Sequence, residues 1–142
     1  MTANASAPSW HTPAILVARL IFAAVFAMAA VFKFLGMPET AAYIAAAGFP
    51  IPLLLAWLAA FFESALVICL LTGAFFSEAA LLAAAYVLFL AVAFHGPSHW
   101  QGDQKEFGFF VDHFTFIAGL LFAAVKGPGR TLALRHSLIA RA

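Results

Sequence analysis

The sequence predicts an all-α integral membrane protein, a bundle of four spanning helices with both termini on the cytoplasmic side. Three observations carry this expectation. Of 142 residues, 65% are hydrophobic and only 9% charged; a soluble domain carries about 25% charged residues, so most of this surface is not built to face water. The apolar residues gather into four runs, each near the ~20 residues that a rise of 1.5 Å apiece needs to cross the hydrocarbon core. Glycine and proline punctuate the runs, and none alternates with the period of two expected of a membrane strand.

Taken in order, residues 1–13 form a polar tail broken by Pro8 and Pro13, with Trp10 suited to the membrane interface. No Lys or Arg precedes the first apolar run, and that run outlasts a signal-peptide core, so a cleaved leader is not expected. The first span, 14–35, stops at Gly36 and Pro38. Residues 36–50 have room for a short interfacial helix, Pro38 to Ala47. The second span, 51–72, is opened by Pro50 and Pro52 and closed by Gly73. A very short turn leads to the third, 75–95, which ends at Gly96-Pro97. Residues 96–106 are the strongly polar internal stretch. The fourth span, 107–125, ends at Gly127-Pro128-Gly129, and residues 126–142 make a basic tail. Residues 14–125 thus read as a single domain without repeats.

Orientation follows from the distribution of Lys and Arg around the span ends. Lys126, Arg130, Arg135 and Arg141 follow the last span and Arg19 lies near the start of the first, whereas the other side offers only Lys33 and Lys105. Both termini are therefore expected in the cytoplasm, with loops 36–50 and 96–106 facing outward. The near-cancelled net charge of +1 argues against nucleic acid as a partner. The lone Cys69 sits in an apolar run, where it reads as a small packing residue; it can form neither an internal disulfide nor a Cys-x-x-Cys pair.

Ionisable residues inside the spans are the informative ones, because an Asp, Lys or Arg at a helix centre costs about 2.5–3.5 kcal/mol on insertion scales. Glu63 lies near the middle of the second span. Arg19 and Lys33 are fourteen residues apart in the first, on nearly one helical face with Ala23, Phe26 and Ala30 between them. Counting depth from the span ends separates Arg19 from Glu63 by roughly 7 Å and Lys33 from Glu63 by about 13 Å. This predicts an Arg19–Glu63 pair, with Lys33 snorkelling outward. The pair either staples two helices or handles a proton or ligand, and a lone protonated Glu63 is a third option.

A second constellation lies toward the outer side: His95, His99, Asp112 and His113, with Trp100 and Lys33 at similar depth. An Asp112–Lys33 ion pair fits these positions. Metal binding is not expected. His95, His99 and His113 are weak candidates, because Gly96-Pro97 breaks the helix between the first two and Asp112 diverges from His113 by about 100°. No nucleophile elbow, phosphate-binding glycine loop or paired catalytic carboxylate appears. An aromatic-lined quinone or lipid pocket near the outer loops is compatible with seventeen Phe residues, but composition does not locate it. Small residues such as Ala83, Ala84, Ala91 and Ala123 offer faces for a second copy or another subunit.

Arg19-Leu20 opening the first span, Phe26 before Lys33, Gly48-Phe49-Pro50-Ile51-Pro52, Glu63, Gly73, Ala79-Ala80-Leu81, Phe94-His95, Gly119-Leu120-Leu121 and Gly127-Pro128-Gly129-Arg130 follow one another in an order and spacing that resembles the DoxX family of small bacterial membrane proteins. The resemblance covers about residues 15–130. It departs from the family pattern at Ser77-Glu78, at Asp112-His113, where the family tends to show Lys-Asn, and after Arg130. It implies four membrane helices in the bacterial inner membrane and an association with redox systems, since the family takes its name from a subunit of an archaeal thiosulfate:quinone oxidoreductase.

Three functional readings follow. In the first, the chain is a non-catalytic membrane subunit that docks with or anchors a larger redox assembly. In the second, it is a quinone-linked oxidoreductase component in which Arg19, Lys33, Glu63 and His95 bind or protonate a quinone head group. In the third, it is a small transporter or proton path. A quinone site would show as a pocket opening into the membrane beside Arg19 or His95, and a transporter as a continuous polar track.

Overall fold

The computed structural model describes residues 10–139. Residues 1–9 of the polar N-terminal stretch, and Arg141 of the basic tail, lie outside the described residues. Helix α1 spans His11–Leu35, α2 Met37–Ala46, α3 Pro52–Thr72, α4 Phe76–His95 and α5 Gln104–Lys126, with a 3₁₀ turn at Pro97–His99. No strand occurs among the described residues. Four of these helices, all but α2, are long and apolar enough to cross a membrane.

The helices begin and end for local reasons. Pro13 sits in the first turn of α1, where backbone N–H groups have no intrahelical acceptor, so the helix can include it and begins at His11, three residues before the expected span. Gly73 ends α3 in the left-handed region (φ 74°) and donates its N–H to Cys69. Asp103 caps α5 by accepting from Lys105 N, which carries that helix three residues further toward the N-terminus than hydropathy alone indicates.

The spacing of small and large residues sets the packing. Helix α1 turns Arg19, Ala23, Phe26 and Ala30 inward, and α3 turns Ala56, Ala60, Glu63, Leu66 and Leu70, both at steps of three and four. These two helices pack along their length, as do α4 and α5. Helix α4 buries Ala79, Ala80, Ala83, Ala84, Val87 and Ala91, a stripe of small side chains that lets its neighbours approach closely. Ala83, Ala84 and Ala91 are therefore consumed inside the bundle and do not form a face for a second copy; only Ala123 stays half-exposed. Helices α1 and α5 meet mainly through rings, with Phe116 against Phe22 at 5.1 Å and Phe26 at 5.7 Å.

Short helix α2 lies on α3 and makes a second, smaller core from Met37, Ile44, Ala56 and Ala60. Around it, Phe94 stacks with Tyr43 at 5.1 Å and with Phe49 at 5.8 Å. The outer surfaces of the spans carry large apolar residues such as Phe122, Val125 and Leu82, the surface a helix presents to lipid.

The chain after α5 is a strap laid across the α3–α4 turn. Leu134 N donates to Thr72 O at 2.9 Å and Phe75 N donates to His136 O at 2.6 Å. Glu78 Oε1 accepts from Ser137 Oγ at 2.8 Å, from Ile139 N at 3.0 Å and from Leu138 N. The strap lies so close that a Cβ on Gly73 would stand 2.9 Å from that of Ala133.

Candidate functional site

The sequence-selected residues separate into three places. Arg19 is 2% exposed and lies at the strap end of the bundle. Its guanidinium donates to four carbonyls: Pro128 O at 2.9 Å, Thr131 O at 3.1 Å, Leu71 O at 2.9 Å and Leu132 O at 2.7 Å. Leu71 O is one of the last four carbonyls of α3, which the helix itself leaves unsatisfied. Arg19 thus ties the strap to the end of α3, and the expected Arg19–Glu63 pair does not form.

Glu63 instead binds Lys33. Lys33 Nζ donates to Glu63 Oε1 at 2.8 Å, and the Tyr86 hydroxyl donates to the same oxygen at 2.8 Å. The estimate of depth that separated Lys33 from Glu63 fails for a geometric reason. Each Cα–Cβ bond tilts toward its own helix N-terminus. In the antiparallel pair α1/α3, Lys33 therefore leans inward and Glu63 outward, and the two tilts converge. The 3.5 Å contact from Lys33 Nζ back to Ala29 O records that lean. With Lys33 engaged by Glu63, the Asp112–Lys33 pair is absent too, and Asp112 sits exposed on α5.

The outer cluster is partly assembled. His95 Nδ1 donates to Glu106 Oε2 at 2.7 Å, and the His95 ring lies 5.0 Å from that of His113. His113 Nδ1 donates to Phe109 O at 2.6 Å. Both rings thus commit Nδ1 to an oxygen acceptor, and Nε2 is the second ring nitrogen of each. Trp100 Nε1 donates to His95 O at 2.8 Å and fixes the chain as it leaves α4. His99 is exposed in the 3₁₀ turn. Among the described residues no three His, Cys, Asp or Glu side chains are grouped to hold a metal ion.

A cavity of about 980 Å³ joins the second and third places. Lys33 and Tyr86 line one part, His95 and His113 another, and Phe62, Phe89 and Phe94 supply aromatic wall. Its size is at the upper end of the ~300–1,000 Å³ typical of ligand pockets. Exposed Phe32, Leu58, Leu82 and Phe89 belong to its edge, so it opens sideways between spans. Beyond the spans, α2 contributes Glu39, Thr40 and Tyr43. The Tyr43 phenol is pushed above its ordinary value, by desolvation first and by the Glu106 carboxylate second.

Sequence reasoning did not select Tyr86 or Glu106. A tyrosine inside an apolar run has a hydroxyl that needs a partner when buried, and that was the signal for Tyr86. For Glu106 the signal was Asp103-x-x-Glu106, a helix-start pattern that puts Glu106 in the first turn of α5, beside the end of α4.

The DoxX family profile matches residues 14–96. The chain belongs to the DoxX family. The match runs from the start of α1 to Gly96, so it contains Arg19, Lys33, Glu63, Tyr86 and His95 and stops before Glu106, Asp112 and His113. The wider resemblance, to residue 130, is thus shown for the first four helices and not for α5. Comparisons with curated proteins and with solved structures gave no match. Helix α5 contributes His113 to the cavity lining and the carboxylate of Glu106 bound to His95.

Proposed function

We propose that this DoxX protein is a quinone-binding component of a membrane redox system, with the ring seated in the cavity over Lys33 and Tyr86. The single observation behind the reading is a large aromatic cavity, open between spans, whose lining carries Lys33 and Tyr86, both bound to the buried carboxylate of Glu63. An ammonium has three donors. Glu63 takes one and Ala29 O a weak second, which leaves one for a quinone carbonyl. Tyr86 donates its hydroxyl hydrogen bond to Glu63 and keeps its oxygen lone pairs as acceptors for a quinol hydroxyl. Phe62, Phe89 and Phe94 provide faces and edges for the ring, and the sideways opening suits an isoprenoid tail.

In this reading the chain's residues position the ring and move protons, and the electrons come from a partner redox protein to which the chain docks. Arg19 takes no part at the ring, because all its bonds are to strap and α3 carbonyls. The setting proposed is the bacterial inner membrane with both termini in the cytoplasm. The distribution of Lys and Arg supports this orientation: among the described residues the strap end carries Arg19, Lys126, Arg130 and Arg135, and the opposite end Lys33 and Lys105.

The test is equilibrium binding of decylubiquinone to the purified protein in mild detergent, followed by quenching of tryptophan fluorescence. Saturable binding is expected, weakened about tenfold by Tyr86→Phe and unchanged by Phe122→Ala on the lipid face. Binding of equal strength in wild type and Tyr86→Phe, or quenching that never saturates, would overturn the reading.

A further inference from the structure

A second, smaller groove of about 380 Å³ lies at the strap end, between the first half of α1 and the last turns of α5. We infer that it binds one anionic glycerophospholipid, with an acyl chain along the groove and the phosphate at Lys126. The inference is independent of the quinone reading, because the two cavities share no lining residue.

The shape argues for a chain. Groove residues extend from Trp10 to Phe22 on α1 and from Gly119 to Gly127 on α5, lengths of about 18 and 12 Å at 1.5 Å per residue. A volume of 380 Å³ over that length leaves a cross-section of about 20–30 Å². A helix about 10 Å wide with its side chains needs roughly three times as much. The lining is apolar, with Ala14, Ala18 and Phe22 along the groove and the exposed Phe122 only at its lipid-facing rim. Gly119 forms part of its inner end, where a Cβ would stand 3.0 Å from Phe22 Cζ.

Charge argues for an anion. Lys126 and His11 line the mouth beside Trp10, a residue suited to headgroup depth. Arg130 follows closely, since Gly129 lies against Ile15 of α1. Arg19 lines the same groove and is 2% exposed. Its bonds are to neutral carbonyls, it forms no ion pair among the described residues, and its Nε–H has no acceptor there. The groove is therefore underlain by a full positive charge that no carboxylate offsets. Basic pockets between spans on the positive side of a membrane protein are the usual sites for acidic head groups.

The experiment is native mass spectrometry of the full chain in mild detergent, titrated separately with dioleoylphosphatidylglycerol and dioleoylphosphatidylcholine. One phosphatidylglycerol is expected to bind at least fivefold more tightly than phosphatidylcholine. Lys126→Gln, an exposed change, should lower the phosphatidylglycerol affinity about fivefold and leave phosphatidylcholine unchanged, whereas Lys105→Gln at the opposite end should change neither. Ala123→Leu narrows the groove and should weaken both lipids, which tests the acyl half independently of Lys126. Equal affinity for the two lipids, an unchanged titration in Lys126→Gln, or competition by glycerol 3-phosphate as strong as by the whole lipid would overturn the inference.

Discussion

Lys33 on α1 and Glu63 on α3 share a 2.8 Å ion pair although their positions along the two helices differ by several residues. The Glu63 side chain is 2% exposed and that of Lys33 20%, so the pair has one foot in the core and the other at the cavity wall. Removing one partner of a buried pair leaves an uncompensated charge and costs about 3–5 kcal/mol. Lys33→Met and Glu63→Gln should each destabilise by about 2–4 kcal/mol in thermal unfolding in detergent, reduced by the partial exposure of Lys33. The double variant should lose less than the sum. Lys33→Met combined with Asp112→Asn, by contrast, should be additive, since those residues do not touch.

Arg19→Lys tests the strap. A lysine has three donors from one point and cannot span four carbonyls held by both α3 and the strap. Stability should fall by about 3 kcal/mol, the order expected when several buried carbonyls lose their donor. Amide hydrogen exchange should rise at Leu134 and in the α3–α4 turn while α2 and the cavity wall stay protected.

Two glycines with similar backbone angles should respond differently. Gly73 (φ 74°) faces Ala133, and an added Cβ would approach to 2.9 Å, whereas Gly48 (φ 84°) has open space. Gly48→Ala carries only the left-handed backbone cost of about 1–2 kcal/mol. Gly73→Ala adds a clash with the strap and should cost at least about 1 kcal/mol more by the same unfolding assay.

The orientation has its own check. A reporter active only in the cytoplasm, fused after Ala142, should be active, and a cysteine placed at Gln101 should react with a membrane-impermeant maleimide added outside intact cells. Labelling at Gln101 only after lysis would reverse the assignment.

The four spans and α2 were legible in the sequence because hydropathy and helix breakers act locally: Gly36, Pro52, Gly73, Gly96 and Gly127 stand at the observed boundaries. The inward stripe Arg19-Ala23-Phe26-Ala30 was legible for the same reason, since helical period is a one-dimensional property. Partners across helices were not. Choosing between Arg19 and Lys33 for Glu63 needs the axial offset of α1 against α3 and the opposed tilts of the two side chains, and neither is a property of one helix's sequence. The strap was invisible for a different reason. Residues 127–139 have no hydrophobic period, and their order comes from Arg19, Thr72, Phe75 and Glu78, far away in sequence.

The most direct test of the cavity reading is photolabelling of the protein in lipid bilayers with an azido-quinone, followed by peptide mapping. Label on cavity residues of α3 and α4, around Phe62, Tyr86 and Phe89, that is displaced by decylubiquinone is the predicted result. Label spread over outward-facing positions such as Phe122 and Val125, and not displaced by decylubiquinone, would contradict it.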